Sequence, residues 1–129
     1  MPGGKYGDFR DLGVWQQCKE IRREIWQLTK TFPKEEKFRL SDQMIRSSRS
    51  ATDCIAEGYG RFHYQENIQF CRHARGSLFE LMNHTDAALE CEYIDRNFFE
   101  ELVDTIQNAI GTLNGYIRYL KKQKKDTVN

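Results

Sequence analysis

Apolar side chains return every three or four positions along nearly the whole chain, the spacing that gathers them on one face of a helix. Leu12, Val14, Trp15, Cys18, Ile21, Ile25 and Leu28 form the first such row. It stops before Pro33, because the residue preceding a proline avoids the α region, and it predicts a helix over about 11–31. Phe32 to Glu36 reads as a turn. Ser41 offers an N-cap oxygen with Leu40 as its apolar staple, and Met44, Ser48, Ala51, Ile55 and Gly58 form the seam of a second helix. That seam is built of small side chains, which let a neighbouring helix approach closely.

The stretch Ile55-Ala56-Glu57-Gly58-Tyr59-Gly60-Arg61 closes the second helix with two glycines able to take positive φ. Ile68, Cys71, Ala74, Leu78, Leu81, Thr85, Ala88 and Leu89 then define a third helix over about 63–91. Gly76 sits within it at a cost of about 1 kcal/mol relative to alanine, and is expected to mark close packing against another backbone. Asp95 is a good N-cap for a fourth helix, whose row runs from Phe99 through Ile106, Ile110 and Leu113 to Leu120. It is expected to end near Lys122. Acidic residues load its first turns and lysines its last, the order the helix macrodipole favours.

Four long helices with short connections and no alternating segment predict an all-α protein, an antiparallel up-down four-helix bundle. Pro2, Gly3, Gly4 and Gly7 suggest a flexible lead-in over residues 1–8, followed by the bundle at 9–123 and a basic tail at 124–129. At 129 residues the chain is sized for one core.

The overall charge demands no partner, since 20 Lys+Arg face 19 Asp+Glu, so electrostatics matter only where charge is segregated. No apolar run approaches the roughly 20 residues of a membrane span, and Met1 to Arg10 lacks the apolar core of a secretory signal. A cytoplasmic protein with no membrane contact is expected. Cys18, Cys54, Cys71 and Cys91 contain no Cys-x-x-Cys pair and read as buried, reduced thiols.

Bundles often house carboxylate-bridged metals through Glu-x-x-His pairs. Here Gly60, Phe70 and Leu81 stand three positions before His63, His73 and His84, so no metal or other cofactor is called for. Glu80 and His84 share a helix face as an ordinary i,i+4 contact. No Gly-x-Ser-x-Gly, phosphate-cradling loop or His-Glu-x-x-His occurs, and a triad of Ser77, His73 and Asp86 has nothing to mark it. A non-enzyme is expected.

For nucleic acid, Arg46, Arg49, Arg61, Arg72 and Arg75 lie near Tyr59, Phe62 and Tyr64, joined by Lys121 and Lys122 in the basic stretch from Arg118 to Lys125. Between Arg39 and Arg75, however, six basic residues face four acidic ones, so internal ion pairs compete with that role. In particular Glu57, Arg61, Arg75 and Glu80 are expected to form a buried polar cluster joining the second and third helices. The aromatics Trp15, Trp26, Phe62, Phe79, Phe98 and Phe99 exceed what the seams need, and surplus aromatics mark subunit interfaces.

Phe32-Pro33-x-x-Glu36, Leu40-x-x-Gln43, Ser47, Ser50, Ile55 to Arg61 and Ala74-Arg75-Gly76-Ser77-Leu78-x-Glu80-Leu81, taken in order, resemble the bacterial four-helix-bundle proteins encoded in intervening sequences of 23S ribosomal RNA genes. The match spans about residues 9–122, with Cys54 where that family usually has asparagine. The resemblance implies an up-down bundle that assembles as a ring-shaped homopentamer. It also implies kinship with the accessory variability determinant of diversity-generating retroelements, which binds a reverse transcriptase and nucleic acid. It brings no catalytic residues. The expected function is a non-enzymatic homo-oligomeric interaction module for ribosomal RNA or other nucleic acid. The alternatives are a protein adaptor without nucleic acid, and an enzyme with an intersubunit pocket of Glu57, Arg61, Arg75 and Glu80.

Overall fold

The structure is a computed structural model that describes residues 6–127. Four helices carry it: α1 Gly13–Thr29, α2 Leu40–Gly60, α3 Tyr64–Glu90 and α4 Arg96–Thr127, with single 3-10 turns at Phe9–Asp11 and Lys34–Glu36. Each helix packs against its sequence neighbours and α4 returns to α1, while α1 and α3, and likewise α2 and α4, lie across the diagonals. This is the four-helix bundle, with no strand among the described residues.

The apolar rows meet along the central axis. Ile25, Met44, Ile55, Leu78, Leu81, Ile106 and Leu113 are withdrawn from solvent completely. Every seam residue of α2 is buried, and α2 and α3 pack most extensively of all pairs. Gly58 is the reason they can. A Cβ at that position would stand 2.7 Å from Asn67 Oδ1 and 2.9 Å from Phe70 Cβ on α3, closer than such atoms approach.

Several local expectations are corrected. Gly58 and Gly60 are helical, and the left-handed residue that reverses the chain after α2 is Phe62, at φ 58°. Gly76 is exposed, with nothing within 4 Å of where its Cβ would be, so it marks no close approach. Ser41 does not cap α2. The helix begins one residue earlier, and Glu36 reaches forward to accept the Leu40 N–H at 3.2 Å.

Asp95 does cap α4, accepting the Phe98 N–H at 2.8 Å. That helix continues to Thr127, so residues 124–127 of the expected tail are helical, and 128–129 lie outside the described residues. Residues 1–5 of the expected lead-in also lie outside. Its remainder is tied down: the Tyr6 and Gly7 N–H groups donate to the Asp11 carboxylate, and Asp8 caps the first 3-10 turn.

The cysteines divide. Cys18 and Cys71 are buried, and burial pushes both thiols up to about 12, which keeps them protonated. Cys54 is half-buried and raised in the same direction by the same cause. Cys91, just past α3, is exposed and departs from the expectation.

Candidate nucleic-acid interface

At the end of the bundle where α2 gives way to α3, the chain must reverse within three residues, and the last turns of α4 lie alongside. A cleft of about 230 Å³ opens there. Tyr59, Phe62 and Tyr64 come from the α2–α3 side, while Tyr116, Tyr119 and Leu120 come from α4. Tyr116 and Tyr119, one helical turn apart, lie nearly parallel, with centroids 6.2 Å apart and planes at 12°. Asn67 fixes the floor: its Nδ2 donates to the Tyr116 hydroxyl at 3.2 Å and its Oδ1 accepts from Cys71 Sγ at 3.5 Å. Burial pushes the Tyr116 hydroxyl up to about 12, so it stays neutral. Lys124 donates to Gln65 and ties α4 to the start of α3.

Charge is segregated along α4 even though the chain total is balanced. Residues 118–126 carry five basic groups and one acidic, whereas residues 86–104 at the other end carry seven acidic groups and one basic. Arg118, Lys121, Lys122 and Lys125 are exposed on these turns of α4; Lys122, one turn beyond Tyr119, and Lys124, one turn beyond Leu120, flank the tyrosine cleft, while Arg118, Lys121 and Lys125 project from the opposite face of the helix. Arg61, at the same end, is held between Glu57 at 3.1 Å and Glu66 at 3.5 Å, with its guanidinium over the Phe70 ring.

The other expected contact residues lie elsewhere. Arg46 pairs with Asp42 at 3.6 Å on the exposed face of α2. Arg49 lies over the Trp26 ring at 5.7 Å, in a second cleft of about 210 Å³ that Arg22 and Arg23 help to line. Arg72 is exposed on α3, and Arg75 is half-buried and donates to Asn114 on α4 at 2.7 Å. Arg61, Lys121 and Lys122 therefore share one end of the molecule and the rest do not.

The expected buried cluster of Glu57, Arg61, Arg75 and Glu80 does not assemble. Glu57 and Arg61 are four residues apart and pair along one helix with both side chains about half exposed, at 52% and 46%. Arg75 turns to α4, and Glu80 stays 3.4 Å from His84 on its own helix. Within the α2–α3 contact the polar link is neutral, and the charged one, Arg61 to Glu66, lies at the exposed end: Ser50 Oγ lies 2.9 Å from Ser77 Oγ, and Ser77 donates to the His73 carbonyl oxygen at 3.1 Å. That engagement also leaves Ser77 without a base. Among the described residues no three His, Cys, Asp or Glu converge as metal ligands, and no helix is long and apolar enough to cross a membrane.

Sequence reasoning missed Asn67, Tyr116 and Tyr119, as well as Arg22 and Arg23. The signal was present in part. Tyr116 and Tyr119, three apart at the border of the α4 apolar row, are the spacing that brings two rings together on one helix.

The family described as the 23S rRNA-intervening sequence protein matches residues 10–115. The chain belongs to that family. Its bundle is also similar to a crystal structure of a protein with unknown function from the S23 ribosomal protein family of Bacteroides thetaiotaomicron, at 22% identity and a TM-score of 0.74, covering 81% of this chain and 97% of that one. No curated protein matches the chain. Neither the family nor that neighbour is described by an enzymatic activity.

The residues that carry the family resemblance serve the fold here. Phe32 packs on Tyr93 with centroids 5.1 Å apart, and Glu36 accepts both the Leu40 N–H and, at 2.6 Å, the Tyr93 hydroxyl. Ser50 and Ser77 link α2 to α3, and Gly58 admits Asn67 and Phe70. Cys54, where the family usually has asparagine, places its sulfur 3.9 Å from Ser50 Oγ. These motif residues therefore serve packing and hydrogen bonds between elements.

Proposed function

We propose that the protein is a non-enzymatic interaction module that self-associates and binds nucleic acid, ribosomal RNA being the first candidate through the family's link to rRNA intervening sequences. The observation that carries this reading is the segregation of charge along α4, which puts five basic groups beside exposed aromatic rings at one end of a nearly neutral chain. Basic side chains supply phosphate contacts and release counterions, so such binding weakens steeply with salt. Repeating the patch around a ring, the homopentamer that the family resemblance implies, would add avidity that one subunit lacks. Trp26, Phe38 and Phe79, exposed at 45%, 83% and 51%, are the large apolar groups available for self-association.

Binding of the purified protein to structured ribosomal RNA fragments over a salt series tests the reading. Affinity should fall with salt, and Lys121→Glu with Lys122→Glu should weaken binding and flatten the salt slope by about two phosphate contacts. No binding at low salt, or binding indifferent to salt, would count against it.

A second reading, a protein adaptor, is favoured by the cleft where Arg22, Arg23 and Arg49 surround the half-exposed Trp26. Such an arginine and tryptophan group is typical of interface anchors. A partner retained on the protein from its native host after nuclease treatment, and lost in Trp26→Ala, would support it.

A further inference from the structure

We infer that the tyrosine cleft at the α2–α3 turn receives an unpaired base of a nucleic-acid strand, with the neighbouring phosphates on Lys122 and Lys124. This rests on the nucleic-acid reading above and goes beyond it by choosing unpaired strands over duplex. Three observations converge on it. Phe62 takes a left-handed backbone, φ 58°, immediately after the C-cap of α2, a position that glycine or asparagine fills with less strain. Its ring is nevertheless 85% exposed, so neither backbone preference nor core packing accounts for a phenylalanine there. A strained and unburied aromatic is the kind of outlier that marks a functional position.

The surroundings of that ring define the ligand. Phe62, Tyr64 and Tyr119 offer exposed aromatic surface at 85%, 38% and 49% around a cleft of about 230 Å³, room for one flat heterocycle. The hydrogen bond from Asn67 holds Tyr116 in place beneath Tyr119, so the stacking surface is preformed. Duplexes keep their bases stacked inside and present only backbone and groove edges, which cannot enter such a cleft, whereas unpaired bases stack readily on aromatic side chains. Lys122, one turn beyond Tyr119, and Lys124, held at Gln65 next to Tyr64, supply the cationic border that a phosphodiester strand requires and that an apolar peptide does not.

The test compares a fluorescein-labelled single-stranded RNA 12-mer with a blunt duplex of the same sequence on the full chain, by anisotropy at several salt concentrations. The single strand should bind more tightly. Tyr119→Ala and Phe62→Asn should each weaken it roughly tenfold, leaving the salt slope and the duplex affinity unchanged. Phe62→Asn suits the left-handed backbone, so its fold should persist and its circular dichroism melt should lie at or slightly above that of the parent. Equal affinity for single strand and duplex, with both variants silent, overturns the base cleft while leaving phosphate binding intact. Absence of binding to either RNA overturns both readings. Dissociation of the oligomer by Phe62→Asn in light scattering, with RNA affinity per subunit unchanged, would assign the cleft to a second copy and overturn the proposal.

Discussion

Gly58 and Gly76 look alike in the sequence, each a glycine within a helical row, yet they play opposite parts. Gly58 faces α3 where a methyl group would meet Asn67 and Phe70 below 3 Å, and both of those lie on a helix held by the core. Gly58→Ala should therefore destabilise the protein by about 1–3 kcal/mol in urea unfolding, as overpacking does. Gly76→Ala, on an open helical surface, should stabilise it by about 0.5–1 kcal/mol. The same measurement with the signs exchanged would refute the packing assigned to α2 and α3. Thiols make a second contrast at this scale. Cys91 should react with a disulfide reagent at once and Cys54 slowly, while Cys18 and Cys71, buried and held protonated, should react only as the protein unfolds. The small-residue seam of α2 already placed Gly58 at a close approach, whereas the open surface at Gly76 and the exposure of Cys91 could not be read from the chain, because helical periodicity says which residues share a face but not which neighbour that face meets.

Helix identity was far more legible than helix ends. All four rows predicted the right elements because a period near 3.6 sustained over about twenty residues fits a helix and little else. The ends depend on single hydrogen bonds: Asp95 announced itself as a cap, but the first N–H of α2, that of Leu40, is taken by Glu36, four residues upstream on a separate 3-10 turn. Glu36 also accepts the Tyr93 hydroxyl, joining the α1–α2 connection to the α3–α4 turn. That bond holds the Glu36 carboxyl below its ordinary 4.5 and pushes Tyr93 up to about 12. A lowered carboxyl contributes stability that is present above 4.5 and lost as pH falls through the folded value; a raised phenol contributes stability that is present below its ordinary 10.0 and lost as pH climbs toward 12. Tyr93→Phe keeps the ring on Phe32 and removes only the hydroxyl. Its Tm should fall below that of the parent between about pH 5 and 10 and converge with it outside that window, whereas a constant difference at every pH would show that the bond contributes nothing.

At the scale of the molecule, the proposed function assigns two forces to different surfaces, which makes them separable. Attraction for nucleic acid, in that reading, comes from the basic end of α4 and should be screened as ionic strength rises, since exposed charges lose their reach within a Debye length of about 10 Å at 0.1 M salt. Self-association, in the reading proposed, comes from exposed rings such as Trp26 and Phe79, and hydrophobic burial is not weakened by moderate salt. Raising salt from about 0.1 to about 0.5 M should thus release RNA while the mass from light scattering stays that of the oligomer. Phe79→Glu places a charge on the exposed ring position of α3 and should shift the mass toward the monomer while the bundle keeps its helical content at room temperature, because that side chain is half outside the core. Persistence of the parent's mass in Phe79→Glu would remove that ring from the interface. A parent that is monomeric at micromolar concentration would remove self-association altogether, and with it the avidity proposed to let a chain of nearly balanced charge hold a polyanion.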